Sequence, residues 1–339
     1  MSIKNHTVIE IADQCVKALQ TKAGRGRNHL LNQIVLPLEN QSEQGLESAL
    51  SNLAKHRIIG AGAAFLMLPR QLAILKLIRL PSVDKTELRK MLEIQISNQT
   101  PYTLEEVEYD FHIIDSDTDG YTRVILFVIP REVTTRYIDM MNRAKIPFSG
   151  LTISTQGLQS WYRYQLEHKQ LVGANYVALC NVDLQQTEIA FFKEQNLLFS
   201  RSSNQGLVDI RRGQTDELIR QIELSVNYYR NEQMGLPIEK LIVVLNVPDF
   251  QGFCGELELR IQIPCQMVSS LEGMSVHKSV LDKGPEEVSG VSLTAPLGVS
   301  ISDPKSVINL LPKAIRETKT NKFVKLELIK LMLLGIVIY

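Results

Sequence analysis

The chain has 339 residues, enough for two or more domains of ordinary size. Apolar residues make up 44% and charged residues 22%, which excludes wholesale disorder. With 37 basic against 37 acidic residues the formal charge is zero, so no overall field draws the molecule to nucleic acid.

The N-terminus, MSIKNHTVIEIADQ, lacks the apolar run of a signal peptide. His6 to Ile11 (HTVIEI), Gln33 to Leu38 (QIVLPL) and Ala73 to Leu80 (AILKLIRL) read as strands, with Leu46, Leu50 and Leu53 on one helical face between them. After Pro81, the D-x-x-E pattern of Asp84 and Glu87 opens a helix whose apolar stripe is Leu88, Leu92 and Ile96, and Thr100-Pro101 ends it. Two strands, Val107 to Ile114 and Arg123 to Ile129, are joined by the polar turn DSDTDGY. A helix from Arg131 to about Ala144 completes a helix–strand–strand–helix unit.

A second half begins near Tyr176. VALCNVDL, TEIAFF and NLLFSR are three short apolar runs that read as an antiparallel meander. A helix from Thr215 to about Glu232 carries Leu218, Ile222 and Tyr229 on one face, and KLIVVLN (Lys240 to Asn246) is a buried strand. Lys278 to Gly290 reads as a loop and Ser300 to Ser306 (SISDPKS) as an exposed linker. Cys15, Cys180, Cys254 and Cys265 show no C-x-x-C spacing and lie beside apolar residues, so buried free thiols are expected. The six histidines form no H-x-x-x-H pair, and no metal site is expected.

Two α/β halves, each starting with a strand–turn–strand element, with a small α+β unit inserted in the first, resemble the actin-like ATPase (RNase H-like) fold. Four stretches extend the likeness: "IRLPSVDKTELRKMLEIQISNQTPYTLEEVEYDFHII", "VALCNVDLQQTEIAFFKEQNLLFSR", "DELIRQIELSVNYYRNEQMGLPIEKLIVV" and "LTAPLGVSI". Together they resemble the PilM family of type IV pilus assembly proteins, relatives of FtsA, over residues 6 to 300. The resemblance divides the chain into a first subdomain (1–80 and 151–175), an inserted α+β domain (81–150), a second subdomain (176–299) and a linker (300–322). The start of a truncated transmembrane helix would follow (323–339). "INLLP", followed by basic residues and an apolar run, resembles the start of PilN, the membrane partner that PilM binds. The whole then resembles the arrangement in GspL of type II secretion.

The resemblance implies that two tight turns hold nucleotide phosphates, where glycine lets backbone N–H groups approach an anion. In the stretch matching the first turn, Glu10 to Lys17, Ala12 replaces the glycine and Asp13 puts a negative charge where a phosphate would lie. Like charges 4 Å apart repel by about 4 kcal/mol at an effective dielectric of 20. The second turn, Asp183 to Thr187, also lacks its glycine, and Leu245-Asn246-Val247 replaces the adenosine-binding S-G-G. Lys17, Asp183 and Thr187 are what remains of a nucleotide site. The three degenerate signatures point to a non-catalytic scaffold with no cofactor; an ATP- and Mg-binding regulatory switch is the alternative. Glu105, Glu106 and Glu108 read as a solvated turn, and Arg211, Arg212 and Arg220 as a solvent face. Trp161, Tyr162 and Tyr164 read as core or interface.

The chain ends in LMLLGIVIY, uncharged from Leu331 to Tyr339, behind Lys313, Arg316, Lys319, Lys322, Lys325 and Lys330. A spanning helix needs about 20 apolar residues, so the run reads as a truncated anchor rather than a buried terminal helix. Its lysines hold the preceding domain on the cytoplasmic side of a bacterial inner membrane. Ile308, Asn309, Leu310, Leu311 and Pro312 form the expected docking peptide: two leucine anchors, an amide to set register, and a proline that restricts Leu311 to extended conformations. The resemblance places such a peptide between the first subdomain and the inserted one, in its own domain or a neighbour's. It also implies other inner-membrane platform proteins and the motor ATPase as partners, a homo-oligomer, and no nucleic acid.

Overall fold

The computed structural model describes residues 5–24, 28–40, 42–56, 58–59, 64–232, 237–247, 251–277 and 289–317. In chain order the first half runs β1 (Asn5–Ile11), β2 (Cys15–Lys22), β3 (His29–Pro37), α1 (Glu43–Ala54), β4 (Ala64–Leu68), β5 (Ile74–Leu80), α2 (Lys85–Gln99), β6 (Val107–Ser116), β7 (Thr122–Pro130), α3 (Arg131–Arg143), β8 (Phe148–Ile153) and α4 (Ser154–Glu167). The second half runs β9 (Tyr176–Val182), β10 (Thr187–Lys193), β11 (Asn196–Ser203), α5 (Leu207–Arg211), α6 (Thr215–Glu232), β12 (Lys240–Val244), α7 (Gln251–Ile261), β13 (Cys265–Val268), β14 (Ser275–Val276) and α8 (Thr294–Ser300).

The two large sheets repeat one plan. The first is ordered β14-β3-β2-β1-β4-β8 and the second β11-β10-β9-β12-β13. In each, an antiparallel three-strand meander is extended by two parallel strands from its first strand outward. The central strands are buried on both faces, so their sequences are continuous apolar runs rather than alternations. The repeated plan sets the β1–β2 turn and the β9–β10 turn in equivalent places, one from each half.

The third sheet, β5-β7-β6, belongs to the insertion. Asp84 caps α2 by accepting from the N–H groups of Thr86 and Glu87, both at 2.9 Å, and Leu88, Leu92 and Ile96 pack on one face of the sheet. β7 alternates between two cores: Val124, Leu126 and Val128 face α2, whereas Ile125, Phe127 and Ile129 join the main core. One boundary differs from the sequence reading. The inserted unit starts at β5 rather than at residue 81, because Ile74 to Leu80 pair antiparallel with Val128 to Thr122. The helix after β7 lies against β6 and β7 on one side and α1 on the other, and its Ile138, Met140 and Met141 share the main core with Ile125, Phe127 and Ile129 of β7.

Helices α4 and α8 cross at two glycines. A Cβ on Gly298 would lie 1.9 Å from the Gly157 carbonyl oxygen, and one on Gly157 would lie 2.2 Å from that of Ala295. Backbone cannot yield as a side-chain tip can, so Gly298→Ala is expected to cost about 1–3 kcal/mol by overpacking, measured by denaturant unfolding. Trp161, Tyr162 and Tyr164 of α4 are core residues, and Trp161 Nε1 donates to the Ser270 carbonyl at 2.9 Å.

All four cysteines are free, but two of them meet. The Sγ atoms of Cys254 on α7 and Cys265 at the start of β13 lie 2.7 Å apart, both half-buried. Oxidised glutathione is expected to close this pair, taking one hydrogen from each thiol and leaving as two glutathione thiols. Thiol titration should then lose two groups, and a non-reducing peptide map should join Cys254 to Cys265. Cys15 and Cys180, 1% and 0% exposed, should react only after unfolding.

Candidate functional site

The β1–β2 and β9–β10 turns face each other across a cleft. Each is closed by its own backbone: Ala12 N–H donates to the Cys15 carbonyl at 3.0 Å, and Asp183 N–H to that of Gln186 at 2.8 Å. They are joined to each other by the Gln14 Nε2 to Gln185 Oε1 hydrogen bond at 2.9 Å. Between them remains a cavity of about 50 Å³, lined by the carboxylates of Glu10, Asp13, Asp183 and Glu188. Small-molecule sites run to roughly 300–1,000 Å³.

Lys17 is the third residue of β2 and only 1% exposed. Its ammonium donates to Asp183 Oδ2 in an ion pair and to the Ser292 carbonyl at 2.8 Å. Glu10 Oε2 lies 3.1 Å from Nζ but outside hydrogen-bonding geometry, and has no hydrogen-bond partner. Burial alone would lower the Lys17 ammonium; Asp183 and Glu10 outweigh it and hold it above the ordinary lysine range. Asp183 Oδ1 in turn accepts from Ser292 N–H at 3.0 Å, so β2, the β9–β10 turn and the segment before α8 meet at one charge. Thr187 is placed elsewhere: its hydroxyl donates to the Gln205 carbonyl at 2.8 Å.

Burial pushes the Glu10 carboxyl up to about 7 from 4.5, with Lys17 opposing and Asp183 adding to the rise. Asp13 and Glu188 are raised as well, again chiefly by burial. A carboxyl raised in the folded state favours folding while it is protonated. Its contribution is complete below pH 4.5 and is lost as pH rises through about 7. Glu10→Gln should therefore gain stability relative to the wild type across that window and hold a constant difference above it. Denaturant unfolding at stepped pH measures this.

Sequence reading missed Arg70, Glu188, Asn181 and Ser292. Arg70 lines the cleft but spends its guanidinium on Ser200 Oγ and O and the Ala73 carbonyl, while Glu188 accepts from the hydroxyls of Ser154 and Thr155. Asn246, in the stretch replacing the adenosine signature, bridges Ser270 Oγ and the Val291 carbonyl, both at 2.8 Å. The residues do not fit a nucleotide. The lysine is consumed, no backbone N–H of either turn is offered to an anion by a glycine, and four carboxylates line a space far too small for a triphosphate. Among the described residues no His/Cys/Asp/Glu group suits a metal ion. Of the other clusters, Glu106 caps a short turn at Thr103, Glu108 pairs with Arg131, and Arg220 pairs with Glu217.

Ile308 to Pro312 run along β8, the edge strand of the first sheet. Leu310 N–H donates to the Leu151 carbonyl at 2.7 Å, and Leu151 N–H donates to Asn309 Oδ1 at 3.2 Å. Asn309 Oδ1 also accepts from Leu311 N–H, and Asn309 N–H donates to Asp110 Oδ2 on β6 at 3.1 Å. Ile308, Leu310 and Leu311 are buried, at 1%, 0% and 0% exposure. The segment thus lies between the first subdomain and the insertion of its own chain. Asn309 extends the sheet pattern with its side chain where the backbone turns away. Pro312 is half-buried, and its carbonyl accepts from Ile315 and Arg316 N–H at 3.0 Å, which starts a helical turn. Among the described residues no helix is long and apolar enough to cross a membrane, and Leu331–Tyr339 lie outside those residues.

Comparison with known proteins gives a consistent result. The chain is 30% identical over 88 residues to the type II secretion system protein L of Xanthomonas campestris pv. campestris, a stretch covering 26% of this chain and 21% of that protein. The match thus spans about a fifth of that relative's length. A solved PilM–PilN type IV pilus biogenesis complex superposes with a TM-score of 0.67 at 14% identity, covering 87% of this chain and 97% of that one. The cytoplasmic domain of EpsL, an inner membrane component of the type II secretion system of Vibrio cholerae, gives 0.51 at 10% identity, covering 92% and 99%. These likenesses establish the fold, an α/β architecture of two halves that repeat one sheet plan. The family model described as type IV pilus assembly protein PilM matches residues 9–227, more than half of the chain, and the chain belongs to that family.

Proposed function

We propose that this chain is a non-catalytic scaffold of an inner-membrane type IV pilus assembly or type II secretion platform. Its actin-like body lies on the cytoplasmic side, and residues 308–312 tether that body to a PilN-like membrane anchor. Its partners are other platform proteins and the motor ATPase, and it acts as a homo-oligomer. The observation that carries the non-catalytic part is the closed cleft: the Gln14–Gln185 bond and the Lys17–Asp183 pair fill with protein contacts the place where two turns would grip phosphates. The relatives' names, PilM and protein L, support the choice of assembly.

Calorimetric titration of the full chain with Mg-ATP tests the reading. No saturable heat that depends on Lys17 is expected. Saturable binding in the micromolar range, about −8 kcal/mol, that Lys17→Ala abolishes would overturn the scaffold in favour of an ATP-regulated switch with the same partners.

A further inference from the structure

Next to the docked peptide lies a second cavity, of about 320 Å³, between β6, α4 and the linker. Lys85, Arg163 and Lys305 bring three cations to its wall. Its one carboxylate, Asp110, is already committed: Oδ1 accepts from Phe111 N–H at 3.0 Å and Arg89 Nη2 at 3.4 Å, and Oδ2 from Asn309 N–H. Arg163 is half-buried, forms no ion pair among the described residues, and has an Nε shut off from water with no hydrogen-bond partner. One helical turn away on α4, Gln159 is 4% exposed and its Oε1 is likewise unpartnered. His112, on the same wall, is held below the usual histidine range by burial, with Gln156 and Asp110 opposing and Arg163 and Lys85 adding to the fall, and its Nε2 lies 2.7 Å from Gln156 Oε1.

A partly buried cation without a counter-charge is costly, and unpartnered buried polar atoms add to that cost. The guanidinium of Arg163 lacks an acceptor, which an anion with several oxygens would supply, and the unpartnered end of the Gln159 amide is its oxygen, so that amide would have to flip to join in. We propose that this cavity is a binding site for a phosphate monoester, with Arg163 as its principal ligand and Lys305 of the linker closing it from the peptide side. The guanidinium fork suits two phosphate oxygens at once. The Gln159 amide can turn its NH₂ end to a third. The volume exceeds what inorganic phosphate fills, leaving room for the organic part of an ester. Lys305 and Ser306 line the cavity immediately before the buried Val307 and Ile308, so an occupant would bridge linker and body. Occupancy therefore strengthens docking of residues 308–312; this consequence rests on the tethered-peptide reading, whereas binding itself does not.

Calorimetric titration of the full chain with inorganic phosphate, glycerol phosphate and adenosine monophosphate tests the site. Saturable binding of at least one is expected, weakening as salt rises. If inorganic phosphate binds as tightly as the esters, the free ion is the ligand; if an ester binds more tightly, its organic part is read as well. Arg163→Met, which keeps the stem and removes the charge, should lower affinity at least about tenfold. Without phosphate it should melt no lower than the wild type, because it removes an unpaired cation. Should that variant fail to fold, Lys85→Ala/Lys305→Ala, both at exposed positions, should still lower affinity. No saturable binding to any of the three compounds, or unchanged affinity in whichever variants fold, overturns the proposal. Hydrogen exchange at Leu310 N–H separates the two readings. Protection absent with and without phosphate means that docking fails, while calorimetry still reports on the anion site.

Discussion

Lys17→Met is expected to lower the unfolding free energy by about 3–5 kcal/mol, the usual cost of stranding the partners of a buried ion pair. The methionine stem fills the same space, so little of the loss comes from packing. What is lost is the positive charge that holds Asp183 and faces Glu10, along with the bond to the Ser292 carbonyl. Asp183 would keep its bond from Ser292 N–H but lose its counter-charge, and Glu10 would be pushed further toward its neutral form. Three segments meet at this ammonium, so the effect should be global, seen in denaturant unfolding monitored by Trp161 in the α4–α8 core. Lys17→Met/Asp183→Leu, which removes both charges, should recover part of the stability. A lysine kept for binding phosphate would behave in the opposite way. Its removal would relieve unpaired charge, and the single variant would be neutral or stabilised.

The sequence showed its fold where chemistry is local and hid it where burial is complete. The Asp84 cap and the Leu88, Leu92, Ile96 stripe predict α2 because the side chains that define the helix lie within it. By contrast, β4 (AFLML) is a short parallel strand buried on both faces with no alternation to read, and β8 (FSGLTI) carries Ser149-Gly150, a pair that reads as a turn rather than a strand. The start of the insertion was misplaced for a related reason. β5 is a good strand by composition, but its partner β7 lies some forty residues on, and composition does not carry pairing. At the cleft, the loss of glycine was legible at Ala12, yet the outcome was not. That Lys17 would turn inward to Asp183 depends on the packing of one half against the other. Asn309 was visible as a register-setting amide, whereas its partners Leu151 and Asp110 lie about 160 and 200 residues earlier.

Leu310→Asp/Leu311→Asp should release residues 308–312 from the groove. Each leucine contributes about 1.5–3 kcal/mol when fully buried, and both are at 0% exposure. An aspartate in either place would have to keep a charge in an apolar pocket, so the segment should leave the groove rather than carry it in. The linker sets how far the effect spreads. From Ser302 to Ser306 the backbone is held by its own bonds, Ser302 N–H to the Val299 carbonyl at 3.2 Å and Ser306 N–H to the Asp303 carbonyl at 2.9 Å. This presents the peptide to its own domain at an effective concentration on the order of millimolar or more. Undocking should therefore be local. Amide exchange should accelerate at Leu310 and Leu151, whose N–H groups bond across the groove, and around Asp110 on β6, while β9, β12 and α6 keep their protection. The vacated edge of β8 would then expose unpaired backbone and two empty leucine sites, a surface open to the same segment of another copy. Wild-type peptide 306–314 added in trans should restore protection at Leu151. Unchanged exchange at Leu151 and Leu310 in the double variant would show that the segment contributes nothing to the groove and serves only as a spacer.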